Sequence, residues 1–494
     1  MKLPKRHSIR ENSPAERRLS LRLKSSFRTR AFRVGGYSVA ATLIVLAIAI
    51  AVNVLAGALP ASLTQRDTSS HQLYSLSEQT ENLVAGLEED VTIYWIVQAG
   101  SEDPYVDLLL DQYTALSDHL TVEKVDPDVH PTFLEQYELS SVYNNSFVVE
   151  CGETYRYVSY SDVYEYSYTT YETSFAGEGA LTSAISYVTS EDLPKVYTLT
   201  GHGESELSSD FADAVDQQNI ETEELSLLTV EAVPEDADAV LIYAPQSDLS
   251  EDEVEKLSAY LEAGGSLLLI TSPLSDADAL ANLEGLMEGS YGVSAAEGIV
   301  MEGDQSYSIY GYPYYLLPDL GSHDITSPLS SGGYYVMLST AQGLTVADEL
   351  PDGVSVTELL TTSDSAYSKA AGYDLTTYDR EEGDLDGPFA LAVAITDQVS
   401  DETESKVVWV SSSYLVDDVT NEMISGGNQD FFLNALSWMV DQEESISIHA
   451  KSLSYDYLTI NSATASTLTI VVVALIPLAY LGVGLYIWIR RKRR

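Results

Sequence analysis

One cysteine stands in 494 residues, so no disulfide can form within the chain, and packing and hydrogen bonds must hold the fold. Basic residues are almost as scarce. Lys and Arg number 25 against 76 Asp and Glu, and the formal charge of −51 excludes a nucleic-acid-binding body. No lysine follows a glycine, so no GxxxxGK[ST] phosphate loop exists, and neither HExxH nor GxSxG occurs. The seven histidines, at 7, 71, 119, 130, 202, 323 and 449, never fall at an i, i+4 ligand spacing. Cys151 lies between Glu150 and Gly152 in a hairpin-like region, not at a strand-to-helix elbow, and reads as a small hydrophobe. The acidic pairs Asp126/Asp128 and Asp384/Asp386 lie outside any EF-hand loop and read as solvated faces. No catalytic residue, metal or cofactor is expected. Apolar content, in contrast, is ample: 45% of residues are hydrophobic, which a disordered acidic tail never reaches.

Charge is unevenly spread. Residues 1–33 hold 11 Lys and Arg and residues 490–494 hold five, whereas residues 60–465 hold nine against 74 acids, a net of −65. Between each basic tip and the acidic body runs an uncharged apolar segment, residues 34–59 and 466–489, of 26 and 24 residues. At about 1.5 Å per helical residue, either can cross a hydrocarbon core about 30 Å thick. The first is too long, and its basic leader too extended, for a signal peptide. The tip Arg490-Arg491-Lys492-Arg493-Arg494 is a stop-transfer signal, and Pro477 kinks the second run without preventing insertion. Basic flanks stay cytoplasmic. The expectation is a two-pass protein of a bacterial cell membrane, in contact with lipid. Residues 1–33 form a cytoplasmic tail and 490–494 a cytoplasmic tip. A disulfide-free domain, 60–465, lies outside.

Within that domain the pattern is mixed α/β. Val91–Val97 reads as a buried strand, Asp103–Leu120 as an amphipathic helix and Leu120–Val125 as a strand, which together make a βαβ unit. Period-two alternation over 143–171 indicates a tyrosine-rich hairpin region, and Phe175–Thr189 a helix. Residues 60–192 are therefore an N-terminal α/β part. From residue 193 to 465 a second series begins: Val196–Thr200, a helix over Leu207–Gln217, an edge-like strand Ile220–Leu228, and Ala239–Ala244. A helix capped by Ser250, the strand Ser266–Thr271, the later strands Phe389–Thr396 and Lys406–Ser411, and a helix over Asp430–Val440 complete it. Continuous apolar strands joined by helices predict a doubly wound parallel sheet, with an irregular insertion at 297–385.

The candidate contact site is Thr200-Gly201-His202-Gly203-Glu204, directly after a strand. Loops at the carboxyl ends of parallel strands line the usual binding crevice, and His202 with Glu204 supplies a polar pair there. The plainer reading is a tight turn in which Glu204 caps the following helix. Tyrosine outnumbers phenylalanine 34 to 9. Tyr164, Tyr166 and Tyr168 belong to one cluster, with Tyr155, Tyr157, Tyr160 and Tyr171; Tyr307, Tyr310, Tyr312, Tyr314 and Tyr315 form another. Such rows stack on sugars or anchor a protein, and they also suit half-wet strands.

Several stretches, in order, resemble the gliding-motility-type ABC transporter auxiliary proteins. These are Arg66-Asp67-Thr68 with Leu73-Tyr74-Ser75-Leu76-Ser77-Glu78; Asp126-Pro127-Asp128; Phe175-Ala176-Gly177-Glu178; Val196 to Glu204; Pro234-Glu235-Asp236-Ala237-Asp238; and Gly427-Asn428-Gln429-Asp430-Phe431-Phe432. The resemblance implies a non-enzymatic component beside a separate ABC ATPase and ABC permease, with an ectodomain that binds a small-molecule substrate or an envelope partner. It also implies an amidotransferase-like central domain, here without the cysteine nucleophile of those enzymes. Two other readings stay open from the residues: a surface glycan binder using the tyrosines, and a surface hydrolase using the carboxylates of the 200–204 crevice.

Overall fold

The computed structural model describes residues 37, 41–52, 75–166, 171–190, 192–276, 278–400, 403–442, 448, 450–453 and 475–492. The chain divides into two units, residues 1–69 and 70–494. In the first, residues 41–52 are helical. Everything that follows belongs to the second.

Ser77 caps helix α1 (Glu78–Ala85) through its hydroxyl. Strand β1 (Val91–Ile96) leads to helix α2 (Pro104–Leu116), which starts where Asp103 accepts the amides of Tyr105 and Val106 and Pro104 supplies a preset φ. Strand β2 (Leu120–Val125) returns parallel to β1. Strands β3 (Ser146–Cys151) and β4 (Thr154–Val158) then form a hairpin, antiparallel to β1, giving the sheet order β2-β1-β3-β4. Strands β5 (Tyr164–Tyr166) and β6 (Thr173–Phe175) pair beside it and precede helix α3 (Gly177–Thr189). Ile93, Trp95, Tyr113, Phe147, Leu181 and Ile185 are fully buried together.

The second sheet is larger. Strand β7 (Lys195–Leu199), helix α4 (Ser209–Gln217), β8 (Glu221–Leu225), β9 (Ala239–Tyr243), α5 (Glu251–Glu262) and β10 (Ser266–Ile270) follow one another. Next come α6 (Ala281–Tyr291), β11 (Val293–Ala295), β12 (Ile299–Met301), β13 (Tyr315–Leu316), β14 (Asp319–Leu320) and β15 (Leu338–Ser339). The remainder is β16 (Leu344–Val346), β17 (Val354–Thr361), β18 (Tyr367–Lys369), β19 (Leu385–Asp386), β20 (Ala390–Gln398), β21 (Glu404–Val410) and α7 (Gly427–Met439). The strand order is β11-β16-β20-β21-β10-β9-β7-β8, with β17 also along β20 and β14 beyond it. Helices α4 and α7 cover one face through Phe211, Phe431 and Phe432; α5 and α6 cover the other through Leu257, Leu261, Leu283 and Met287.

One expectation is corrected. The sheet is parallel only from β8 to β21; β20 runs antiparallel to β21, β17 and β16. The apolar run of β20 reflects burial on both faces, which looks the same in sequence for either direction, and the short link to β21 permits only a hairpin. Residues 297–385 hold β12 to β19, strands mostly of two or three residues, too short to print a period. Strand β22 (Lys451–Ser452) crosses back to pair with β6 of the N-terminal part.

Of the two apolar runs, described residues cover 41–52 and the helix α8 (Ile476–Lys492). Among the described residues no helix is long and apolar enough to cross a membrane. The stretch from Arg66 to Tyr74, and Tyr168, lie outside the described residues.

Candidate functional site

The 200–204 loop leaves the carboxyl end of β7. Gly201 has φ +126°, and a Cβ on it would lie 3.3 Å from Leu228 Cδ1; Gly203 has φ +78°, with Gln246 Cβ at 3.1 Å. Side chains fit neither the torsions nor the space, so glycine is required at both. The loop is tied down from the neighbouring β9 exit, where the amides of Gln246 and Ser247 donate to His202 O at 2.9 and 3.0 Å.

His202 is buried, and both ring nitrogens face carboxylates. Nδ1 lies 3.2 Å from Glu204 Oε1, and Nε2 lies 3.2 Å from Glu253 Oε2. A ring carrying both protons donates to both carboxylates, whereas either neutral tautomer donates to one of them. Glu204 Oε2 also accepts the His202 amide at 2.7 Å. Glu253 belongs to the capping box of α5: its Oε2 accepts the Ser250 amide at 3.0 Å and hydroxyl at 2.7 Å. Burial pushes Glu253 up, but the Ser250 amide and hydroxyl, joined by His202, outweigh it and hold the carboxyl below its ordinary value. Its other oxygen, Oε1, is buried and has no hydrogen-bond partner among the described residues.

Glu204 does not cap helix α4, which begins later and is capped by Ser208. The carboxylate turns inward, where the His202 amide and ring nitrogen meet it. What the loop offers to solvent is the backbone of Gly201 and Gly203. The arrangement fixes the loop rigidly and presents amide and carbonyl groups at the carboxyl end of the sheet. Glu253, 51 residues from His202, is the member that sequence reasoning missed, although its capping-box spacing from Ser250 was visible.

Further along the same edge, a cavity of about 150 Å³ is bounded by Ser272, Asp276, Glu284, Glu297, Gln342 and Tyr373. Burial, then Asp248 and Asp278, pushes Glu284 up to about 7. A wider groove of about 860 Å³ opens at the opposite, amino-terminal edge, beside Asp238, Lys256, Ser266 and Lys406.

The tyrosines divide by burial. Tyr164 is drawn inward, its hydroxyl donating to Asp103 Oδ2 at 2.8 Å and its ring packed on Phe175 and Tyr160, whereas Tyr166 is exposed. Cys151 is buried at the end of β3, its thiol donating to Glu89 Oε2 at 3.2 Å; burial, then Glu89 and Asp90, pushes it up to about 11. Asp384 is no solvated residue: with Glu381 it neutralises the fully buried Lys369, while Asp386 pairs with Arg380. Asp126 accepts the Asp128 amide within its own turn. Among the described residues no group of three or more His, Cys, Asp and Glu is placed to hold a metal ion.

A mixed α/β chain with a glycine-bounded loop at the carboxyl edge of a buried parallel sheet is thus defined. Residues 193–440 match the family described as "ABC-type uncharacterized transport system", half of the chain, and the protein belongs to this family of ABC transporter auxiliary components. Residues 70–162 match a second family, described as "Domain of unknown function (DUF7088)". Among curated proteins none matches. Among solved structures, the mmIFT52 N-terminal domain is similar at 12% identity and TM-score 0.38, over 51% of this chain and 99% of that one. A putative GMP synthase component from Thermoplasma acidophilum is similar at 10% identity and TM-score 0.28, over 52% and 100%. PurLQS from Thermotoga maritima is similar at 9% identity and TM-score 0.24, over 50% and 100%.

Proposed function

We propose that this chain is a non-catalytic accessory component of a bacterial ABC-type transport system. Two apolar segments, 34–59 and 466–489, anchor it in the membrane, and its acidic body lies outside the cell. The observation that carries the reading is the family match over residues 193–440. The uncharged runs and their basic flanks support the anchoring and its direction. The motifs from Arg66 to Trp438 support the gliding-motility type within the family.

Internal chemistry supports the absence of turnover. The histidine and carboxylates of the 200–204 loop are consumed by one another, and the thiol is held protonated beside Glu89. At the β9 exit, the residue held at left-handed φ is Ala244, with no nucleophilic atom. In this reading the body meets a transported small molecule or an envelope partner, while the spans and basic tips engage an ABC permease and an ABC ATPase carried on separate chains. Affinity purification of the tagged full chain from mild detergent is expected to bring down a permease and an ATPase in fixed ratio. Recovery of the chain alone, with the ATPase remaining in the unbound fraction, overturns the assignment.

A further inference from the structure

The insertion between β12 and β19 carries an aromatic surface that the transport reading leaves unused. Tyr312, Tyr314, Tyr315 and Tyr378 form a chain of touching rings. Tyr314 lies 4.7 Å from Tyr315, 5.6 Å from Tyr312 and 5.3 Å from Tyr378, centroid to centroid. The rings meet at 41° to 85° and form facets, not a flat shelf. Tyr312 and Tyr378 are exposed. Beside them Tyr310, 76% exposed, is held at φ +56°, a conformation that costs energy for a bulky residue and turns the ring into solvent. A strained loop displaying adjacent rings is a contact surface, since tyrosine is enriched among the residues that dominate binding energy.

Charge selects the occupant. Tyr378 is followed by Asp379, Glu381 and Glu382, and on the other side Tyr307 donates to Asp319. The insertion's only two basic residues, Lys369 and Arg380, are spent on Glu381, Asp384 and Asp386. A face of tyrosine facets rimmed by carboxylates and lacking free cations suits a planar cation that stacks on a ring while its edge pairs with a carboxylate. We propose that this face docks a protein segment bearing exposed arginines. A neutral glycan gains nothing from the surrounding charge, and the mutual tilt denies a row of sugars a common plane.

The test uses the full chain in detergent with two synthetic peptides of equal length and charge, one with arginine alternating with serine, the other with lysine. Stacking predicts that the arginine peptide binds at least fivefold tighter. The double variant Tyr312→Ser/Tyr378→Ser is expected to bring it down to the lysine value, whereas Tyr143→Ser, exposed on the N-terminal part, leaves the preference intact. Thermal melts of both variants confirm folding. Equal affinity for the two peptides, or an arginine preference that survives in the double variant, overturns the proposal. So does binding of a neutral oligosaccharide that Tyr312→Ser/Tyr378→Ser abolishes.

Discussion

His202 is worth more to this fold as a link than as a ring. It bridges the buried carboxylates of Glu204 and Glu253, and removing one member of such a cluster strands the others. His202→Ala is therefore expected to destabilise the protein by about 3 kcal/mol, read as a shift of the urea midpoint followed by tryptophan fluorescence. His202→Ala combined with Glu204→Gln recovers part of that loss. Equal midpoints for wild type and His202→Ala count against a bridging ring. Glu284 behaves in the opposite sense. Its carboxyl is pushed up to about 7, so the folded state holds a proton that the unfolded chain releases near pH 4.3. Between those values stability falls as pH rises, and above about pH 7 the full penalty is present. Glu284→Gln should raise the melting temperature at pH 8 and leave it unchanged at pH 4; an equal effect at both pH values denies the shift. The loop was legible because glycine, histidine and glutamate followed a clean apolar strand. The rest of the site was not, since burial of Glu253 and Glu284 is set by helices that return from elsewhere in the chain.

Elements meet most tightly at Glu178, in the first turn of α3. Its Oε1 accepts the Ser77 amide at 2.6 Å and the Thr80 hydroxyl at 2.9 Å, and its Oε2 faces Lys451 Nζ at 2.5 Å. Lys451 also donates to Ser75 O at 2.5 Å. One buried carboxylate thus clamps the start of α1 and the two-residue strand β22, which has little hydrogen bonding of its own. Lys451→Met should free β22 from β6 and destabilise the N-terminal part by about 3 kcal/mol. Limited proteolysis would show new cleavage near residues 440–453, with the 195–440 region intact. An unchanged digestion pattern would mean that β22 is held by its two backbone pairs alone. Little of this is legible in sequence: Glu178 stands out only as a motif letter, and its partner lies 273 residues away. Parallel strands such as β9 and β10 were legible, as continuous apolar runs of five and four. The antiparallel half was not, because direction leaves no mark on a strand buried on both faces. Edge strand β8 was marked as an edge by its sequence, Glu-Thr-Glu-Glu-Leu, whose charges discourage pairing with another chain.

Across the whole molecule, the clamp and the charge distribution bear on the same question. Ser75 and Lys451, the two ends of the described body, are in contact at one corner of the N-terminal part. Sixteen and fifteen residues, at most about 55 Å each when extended, separate that corner from the apolar runs. In the proposed topology the 74 acids of residues 60–465 avoid an anionic inner leaflet, whereas the basic flanks are retained by it. The arrangement expected is a body outside the cell. Cys151 makes a direct test practicable, because its buried thiol, hydrogen-bonded to Glu89, is shielded from reagents in the folded protein. Against that silent background, Gln305→Cys should react with a membrane-impermeant maleimide on intact cells, and Ser13→Cys only after the membrane is opened. Replacing Arg490 to Arg494 with serine removes the charge that retains the second run. A cysteine placed after residue 494 should then become accessible from outside in a fraction of molecules. Labelling of Ser13→Cys before lysis, or protection of Gln305→Cys, rejects the topology while leaving the family membership and the buried His202 cluster as they stand.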